Sequence, residues 1–170
     1  NEKRSLKSKQ GKRYLLSQNI KNLHLGGSVL FGYGVEDKRL FIDKEQSKWI
    51  QFMFNSVVDE DMTIIDIKNT LDRNNVKSPR TKSGLWNLVT IQKILRNESY
   101  TGKKTFYDKE LEKEFVYEID QIIDVSTFRQ VQRIMDKRIT LKDNNKKHFS
   151  IFDDIKFVCE CKNSIGSQVN

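Results

Sequence analysis

The chain has 170 residues, enough for one ordinary domain with an arm or a small satellite module and too few for two full domains. With 36% hydrophobic and 32% charged residues it can bury a core beneath a heavily solvated surface, which excludes wholesale disorder. A formal net charge of +8 makes a polyanion the first partner to consider, nucleic acid before acidic membrane.

That charge is localised. Positions 43–72 hold seven acids (43, 45, 59, 60, 61, 66 and 72) against three lysines (44, 48 and 68), a balance of −4. Positions 76–104 hold seven basic residues (77, 80, 82, 93, 96, 103 and 104) against Glu98, a balance of +6. A second basic region lies at the start, where Lys3, Arg4, Lys7, Lys9, Lys12 and Arg13 stand against Glu2. No apolar run approaches the roughly 20 residues needed to span a bilayer, and the first residues do not resemble a secretion signal, so a cytosolic protein is expected. Cys159 and Cys161 are the two cysteines. At that spacing a mutual disulfide is strained, which excludes a disulfide-stapled fold.

In chain order, residues 1–26 begin polar and basic without amphipathic periodicity, and Gly26 and Gly27 break what precedes them, so they read as an arm or linker. In SVLFGYGVEDKRLFID, apolar and aromatic residues flank Glu36 and Asp37, which predicts a hairpin with a tight turn. Over positions 44–58, Trp49, Ile50, Phe52, Met53, Phe54, Val57 and Val58 recur at helical spacing and predict a helix with a wide buried face. A second helix is expected to start after Met62 with Thr63 as its N-cap, to bury Ile64, Ile67 and Leu71, and to end near Asn74 and Asn75.

The stretch VKSPRTKSGLWN contains Pro79 and Gly84 and reads as a loop that holds its basic side chains outward. In the third helix that follows, Leu88, Ile91, Ile94 and Leu95 are spaced for one buried stripe, leaving Asn87, Thr90, Lys93 and Asn97 on other faces. Aromatic and β-branched runs on either side of a charged centre predict a second hairpin over positions 100–119. A last helix from Ser126 carries Phe128, Val131, Ile134 and Met135 inward and gives way to a polar tract from Asp143, read as a linker. The fold class expected is α+β: a mainly helical, helix-turn-helix-like domain with two short β-hairpins, preceded by a basic arm.

Two short helices joined to a third by a basic, glycine-containing loop is the arrangement of a helix-turn-helix reader, although the spacing here is looser than usual. In that reading Lys77, Arg80, Lys82 and Ser83 contact phosphates and fix register, while Asn87, Thr90 and Lys93 reach base edges. The plain alternative is a basic loop that merely solvates an ordinary helical domain. Trp86 at the helix start reads as a core anchor in preference to a base-stacking residue. His24 and His148 are isolated and read as surface histidines. Cys159 and Cys161 are either small buried residues or half of a zinc knuckle that lacks its second ligand pair. The competing function is a basic protein-interaction or regulatory module with no specific DNA target. An RNA-binding domain ranks below it, because neither a ribonucleoprotein aromatic motif nor a GXXG loop is present.

Four segments occur in a familiar order: FGYGVEDKRLFIDKEQSKWIQFMF, TIIDIKNTLDRNNVKSP, WNLVTIQKILRNESYTG and IIDVSTFRQVQRIM. Over roughly residues 29–138 the chain resembles the recombinase domain of the large serine recombinases, and positions 86–102 are the most specific part. The resemblance implies a bacterial or phage-encoded DNA-binding piece of a site-specific recombinase that recognises one half of an attachment site. It implies a linker helix or arm over 1–26, the recombinase domain over 27–140, and a linker with the truncated start of a zinc-ribbon domain over 141–170. On the same ground Lys12 and Arg13 approach phosphates, and Cys159 and Cys161 form the first zinc-ligand pair. Their spacing is one residue shorter than is common in the family, and the second pair is missing from this sequence. The chain departs from the family also in SVLFGYG, where prolines often precede the FGY motif, and in a longer arm. The residues that match carry no serine nucleophile, so this chain is expected not to be an enzyme and to need no cofactor of its own. Zinc and further recombinase subunits belong to the expected full-length protein, with double-stranded DNA as partner.

Overall fold

The structure is a computed structural model that describes residues 2–79, 81 and 83–145, with side chains for residues 9–79, 81 and 83–138. Two compact units divide the chain, Asn1–Met135 and Asp136–Asn170. The hairpins and all helices but the end of the last belong to the first unit, and of the second only the continuation of that helix to Asn145 is described.

No helix is predicted from the pattern at the N-terminus, yet α1 (Glu2–Ser17) forms there. Lysine, arginine, glutamine and leucine are good helix formers and no proline interrupts them. The segment lacks an apolar stripe because distant partners hold it. Leu16 is buried, and charged side chains of α1 pair with residues about 100 positions away.

The first predicted hairpin is β1 (Tyr33–Glu36) against β2 (Arg39–Ile42), with Tyr33 opposite Ile42 and Glu36 opposite Arg39. Asp37 and Lys38 form its two-residue turn, both with positive φ, which matches the right-handed twist of the strands. The segment before it, from Asn22 to His24, runs beside β2: Leu40 N–H donates to Asn22 O at 2.6 Å and His24 N–H to Lys38 O at 2.9 Å.

Three helices follow. α2 (Lys44–Asp59) is capped by Asp43, whose carboxylate accepts from the Glu45 and Gln46 amides, and it buries Ile50, Met53, Phe54 and Val57. α3 (Ile64–Arg73) starts behind Thr63 as predicted. Thr63 and Asp66 form a reciprocal capping box, and Ile67 and Leu71 face the core. α4 (Leu88–Leu95) is capped by Asn87. A short 3-10 turn (Glu98–Thr101) closes on Gly102 at φ +95° and leads into β3 (Lys103–Asp108) and β4 (Lys113–Glu118), the second predicted hairpin. α5 (Val125–Asn145) begins one residue before the predicted start; Asp124 accepts from the Ser126 hydroxyl and the Thr127 amide.

Tyr100 stands at the centre of the core. Its hydroxyl donates to Phe31 O at 2.9 Å, its ring stacks on Tyr33 and meets Phe54 edge-on, and its carbonyl accepts from the Ile122 and Ile123 amides. One residue therefore ties the hairpin β1–β2, helix α2 and the approach to α5.

Candidate functional site

The basic loop and α4 are positioned from behind by α3. Asn75 takes positive φ as α3 ends, and the Val76 amide donates to Leu71 O at 3.0 Å, turning the chain back along the helix. Within the loop, Ser78 N–H donates to Gly84 O at 2.8 Å and the Thr81 hydroxyl to Leu85 O at 2.6 Å. Gly84 sits at φ +76°, where a side chain would be strained.

Trp86 then locks the loop down. It is 2% exposed, its indole N–H donates to Val76 O at 2.7 Å, and its ring meets Phe31 edge-on with centroids 5.2 Å apart. The Trp86 amide donates to the Asp72 carboxylate at 2.9 Å. Asp72 also receives the Lys68 ammonium at 2.8 Å, and these two contacts, the lysine first, hold its carboxyl below the usual carboxylate range. Trp86 is thus the core anchor that its position suggested.

Of the loop residues expected at phosphates, Lys77 and Ser83 are exposed and line an open depression of about 470 Å³ with Ser78, Thr81 and Gly84. Arg80 and Lys82 lie outside the described residues, as do Cys159 and Cys161 with the metal role expected of them. Among the described residues no group of three or more His, Cys, Asp or Glu side chains is placed to hold a metal ion.

On α4 the residues expected at base edges have unequal surroundings. Asn87 is exposed, but its side-chain oxygen accepts from the Val89 amide at 2.8 Å as the helix cap. Thr90 is only 9% exposed and faces a cleft of about 100 Å³ that Ser28, Pro79, Lys93 and Asn97 also line, so it does not present itself outward as a base reader. Lys93 is exposed as expected. Leu88, placed in the core by its spacing, is 40% exposed. The buried stripe of α4 is Thr90, Ile91, Ile94 and Leu95 instead. Trp86 fills the core just ahead of the cap, which rotates the first helical residue outward. Val89, also outward, is 53% exposed; Ile91, Ile94 and Leu95 are buried as the spacing predicts, and Leu88 in the first turn is the one member of the predicted stripe that faces out.

On α1 the two expected phosphate contacts are engaged internally. Arg13 donates to both Asp108 carboxylate oxygens from Nε and Nη2, at 2.5 and 2.9 Å, and from Nη2 to Glu110 at 2.8 Å. Lys9 adds a second contact to Glu110 at 2.5 Å. The Arg13 guanidinium holds the Asp108 carboxyl well below the usual carboxylate range, aided by the Glu110 and Leu111 amides, against the opposing effect of burial. Lys12 lies over the Phe106 ring, 5.7 Å from its centroid. In this structure Arg13 docks α1 on the second hairpin.

Residues 44–138, more than half of the chain and including α2 to α4, match the family model described as Recombinase. The chain belongs to the recombinase family. The motif-bearing stretch 86–102 that resembles the large serine recombinases lies wholly inside the match. Two solved structures share the recombinase fold. One is the crystal structure of an LSR–DNA complex, 21% identical with a TM-score of 0.56, over 84% of this chain and 44% of that one. The other comes from work on the sequence requirements of the Listeria innocua prophage attP site, 20% identical with a TM-score of 0.59, over 93% of this chain and 63% of that one. At these identities the likeness is one of fold. The chain spans less than two thirds of either protein's length. No curated protein matches it. Among the described residues no helix is long and apolar enough to cross a membrane.

Proposed function

We propose that this chain binds double-stranded DNA at one half of a recombination attachment site, as the DNA-recognition part of a serine site-specific recombinase. One observation carries the reading. Positions 73–97 contain six basic residues and no acid, and the fold pins this stretch from behind through Trp86 and Asp72 while Lys77, Ser83 and Lys93 stay exposed. A duplex with its phosphates about 1.7 Å apart along the axis is the partner such a surface meets most favourably. The family and the LSR–DNA complex that shares the fold support the same partner. The loop cations fix register on the backbone and α4 approaches the bases, as in other helix-based readers. In the parent recombinase other subunits complete the assembly, and the role of this chain is recognition, not strand cleavage.

The test is a fluorescence-anisotropy titration of the 170-residue chain with a labelled random duplex, repeated across a salt series. Binding in the micromolar range or tighter at low salt, weakening linearly in log–log form as salt rises, is the expected result. Absence of any signal at tens of micromolar protein in low salt, with an acidic protein surface captured instead, returns the chain to the protein-interaction class.

A further inference from the structure

The outward face of α4 holds residues to which the DNA reading gives no role. Leu88 and Gln92 lie one helical turn apart, as do Val89 and Lys93, so the four form two adjacent rows, all of them exposed. Leu85, just ahead of the helix, is exposed as well. The core is already filled by Ile91, Ile94 and Leu95 on the opposite side, so the fold does not need Leu88 or Val89 to be apolar. A surface row of aliphatic residues, set beside a carboxamide and a lysine in the first two turns of a helix, calls for a ligand with an apolar spot inside a polar, negatively charged frame.

In a duplex the apolar spot in the major groove is the thymine C5-methyl, and its adenine partner presents N6 and N7, which a glutamine side chain grips with two hydrogen bonds. Charge favours this occupant over an apolar protein surface, since Lys93 stands within the rows, the exposed Lys77 lines the loop depression together with Leu85, and no acid occurs between positions 73 and 97. We infer that α4 reads A·T pairs, with Leu88 and Val89 against thymine methyls and Gln92 against adenine. The inference rests on the proposed DNA binding. It also replaces two of the readers expected from the sequence, because the Asn87 oxygen is taken by the helix cap and Thr90 faces inward.

The test starts from duplexes enriched out of a randomised pool by the 170-residue chain at low salt. Each enriched thymidine is then replaced in turn by deoxyuridine, which removes the methyl and leaves base pairing intact. At one or more positions deoxyuridine is expected to weaken binding about fourfold, the size of one buried methyl. Chains carrying Leu88→Ser or Val89→Ser are expected to bind thymidine and deoxyuridine equally there. Gln92→Ala is expected to relax the A·T preference at the neighbouring pair about tenfold, as for a lost bidentate contact. Affinity unchanged by deoxyuridine at every position, or duplex binding without enrichment of any sequence, overturns the inference and leaves the DNA reading standing. No duplex binding at all removes both. If Val89→Ser instead converts a dimer to a monomer in sedimentation with its deoxyuridine response unchanged, the face belongs to a second copy and the inference fails. The deoxyuridine series needs no protein variant, so misfolding cannot imitate its result.

Discussion

Single side chains carry unequal shares of this fold, and Tyr100 shows why. Its ring fills the centre of the core, but its hydroxyl also satisfies the carbonyl of Phe31, a group that has little water to turn to. Tyr100→Phe preserves the packing and leaves that carbonyl unpaired, so a loss of about 1–2 kcal/mol is expected in urea unfolding. Trp86→Ala removes packing as well as the indole bond to Val76, and about 3–5 kcal/mol is expected by the same measurement. Asp108 acts through charge. Its folded carboxyl titrates below the unfolded value of about 3.9, so the stability it contributes is fully present above that value and is lost as pH falls toward the folded one. Asp108→Asn is expected to lower the melting temperature at pH 7 and to flatten its decline as pH falls from about 4 to about 2. An acid slope as steep as the parent's excludes the Arg13 pair as its source.

Elements were legible in the sequence where local chemistry decides them. Thr63 with Asp66 announces the start of α3, and Asp37 with Lys38 between two apolar runs marks a two-residue turn, because caps and turns are satisfied by residues a few positions away. Helix α1 was not legible in the local pattern and was expected only as a linker helix or arm from the family resemblance, since its support comes from Asp108 and Glu110, whose proximity no local pattern encodes. The outward turn of Leu88 was hidden for a related reason: spacing gives the phase of the apolar stripe, and Ile91, Ile94 and Leu95 follow it, but not where the stripe begins, and Trp86 fills the core ahead of the helix in place of Leu88. The candidate site was therefore readable as a segment and misread in which of its side chains face out. Gly102 was part of the most specific motif, and the structure gives the physical cause. It ends the 3-10 turn at φ +95°, and a Cβ there would lie 3.2 Å from Ile119 O. Gly102→Ala is expected to cost about 1–2 kcal/mol through the left-handed backbone alone, measured by thermal unfolding.

Across the whole molecule the 31 basic residues overstate the cations available to a polyanion, because some are paired internally with acids, which leaves the net charge of +8 unchanged. Lys9 and Arg13 are paired with Glu110 and Asp108, and Lys21 with Asp120, whereas Lys77 and Lys93 are exposed along a stretch without acids. This division makes opposite expectations for two substitutions that change net charge equally. Each phosphate contact adds close to one unit to the slope of log affinity against log salt, through the counterion it releases. Lys77→Ala is therefore expected to reduce the slope for random duplex by about one while leaving stability within about 0.5 kcal/mol of the parent's. Arg13→Ala is expected to leave the slope unchanged and to lower the melting temperature, because it strands Asp108 beneath α1. Anisotropy titrations at several salt concentrations, paired with thermal melts of the same samples, separate the two. Equal slope losses for both variants would mean that net charge alone drives binding, and that the surface formed by the loop and α4 has no privileged place in it.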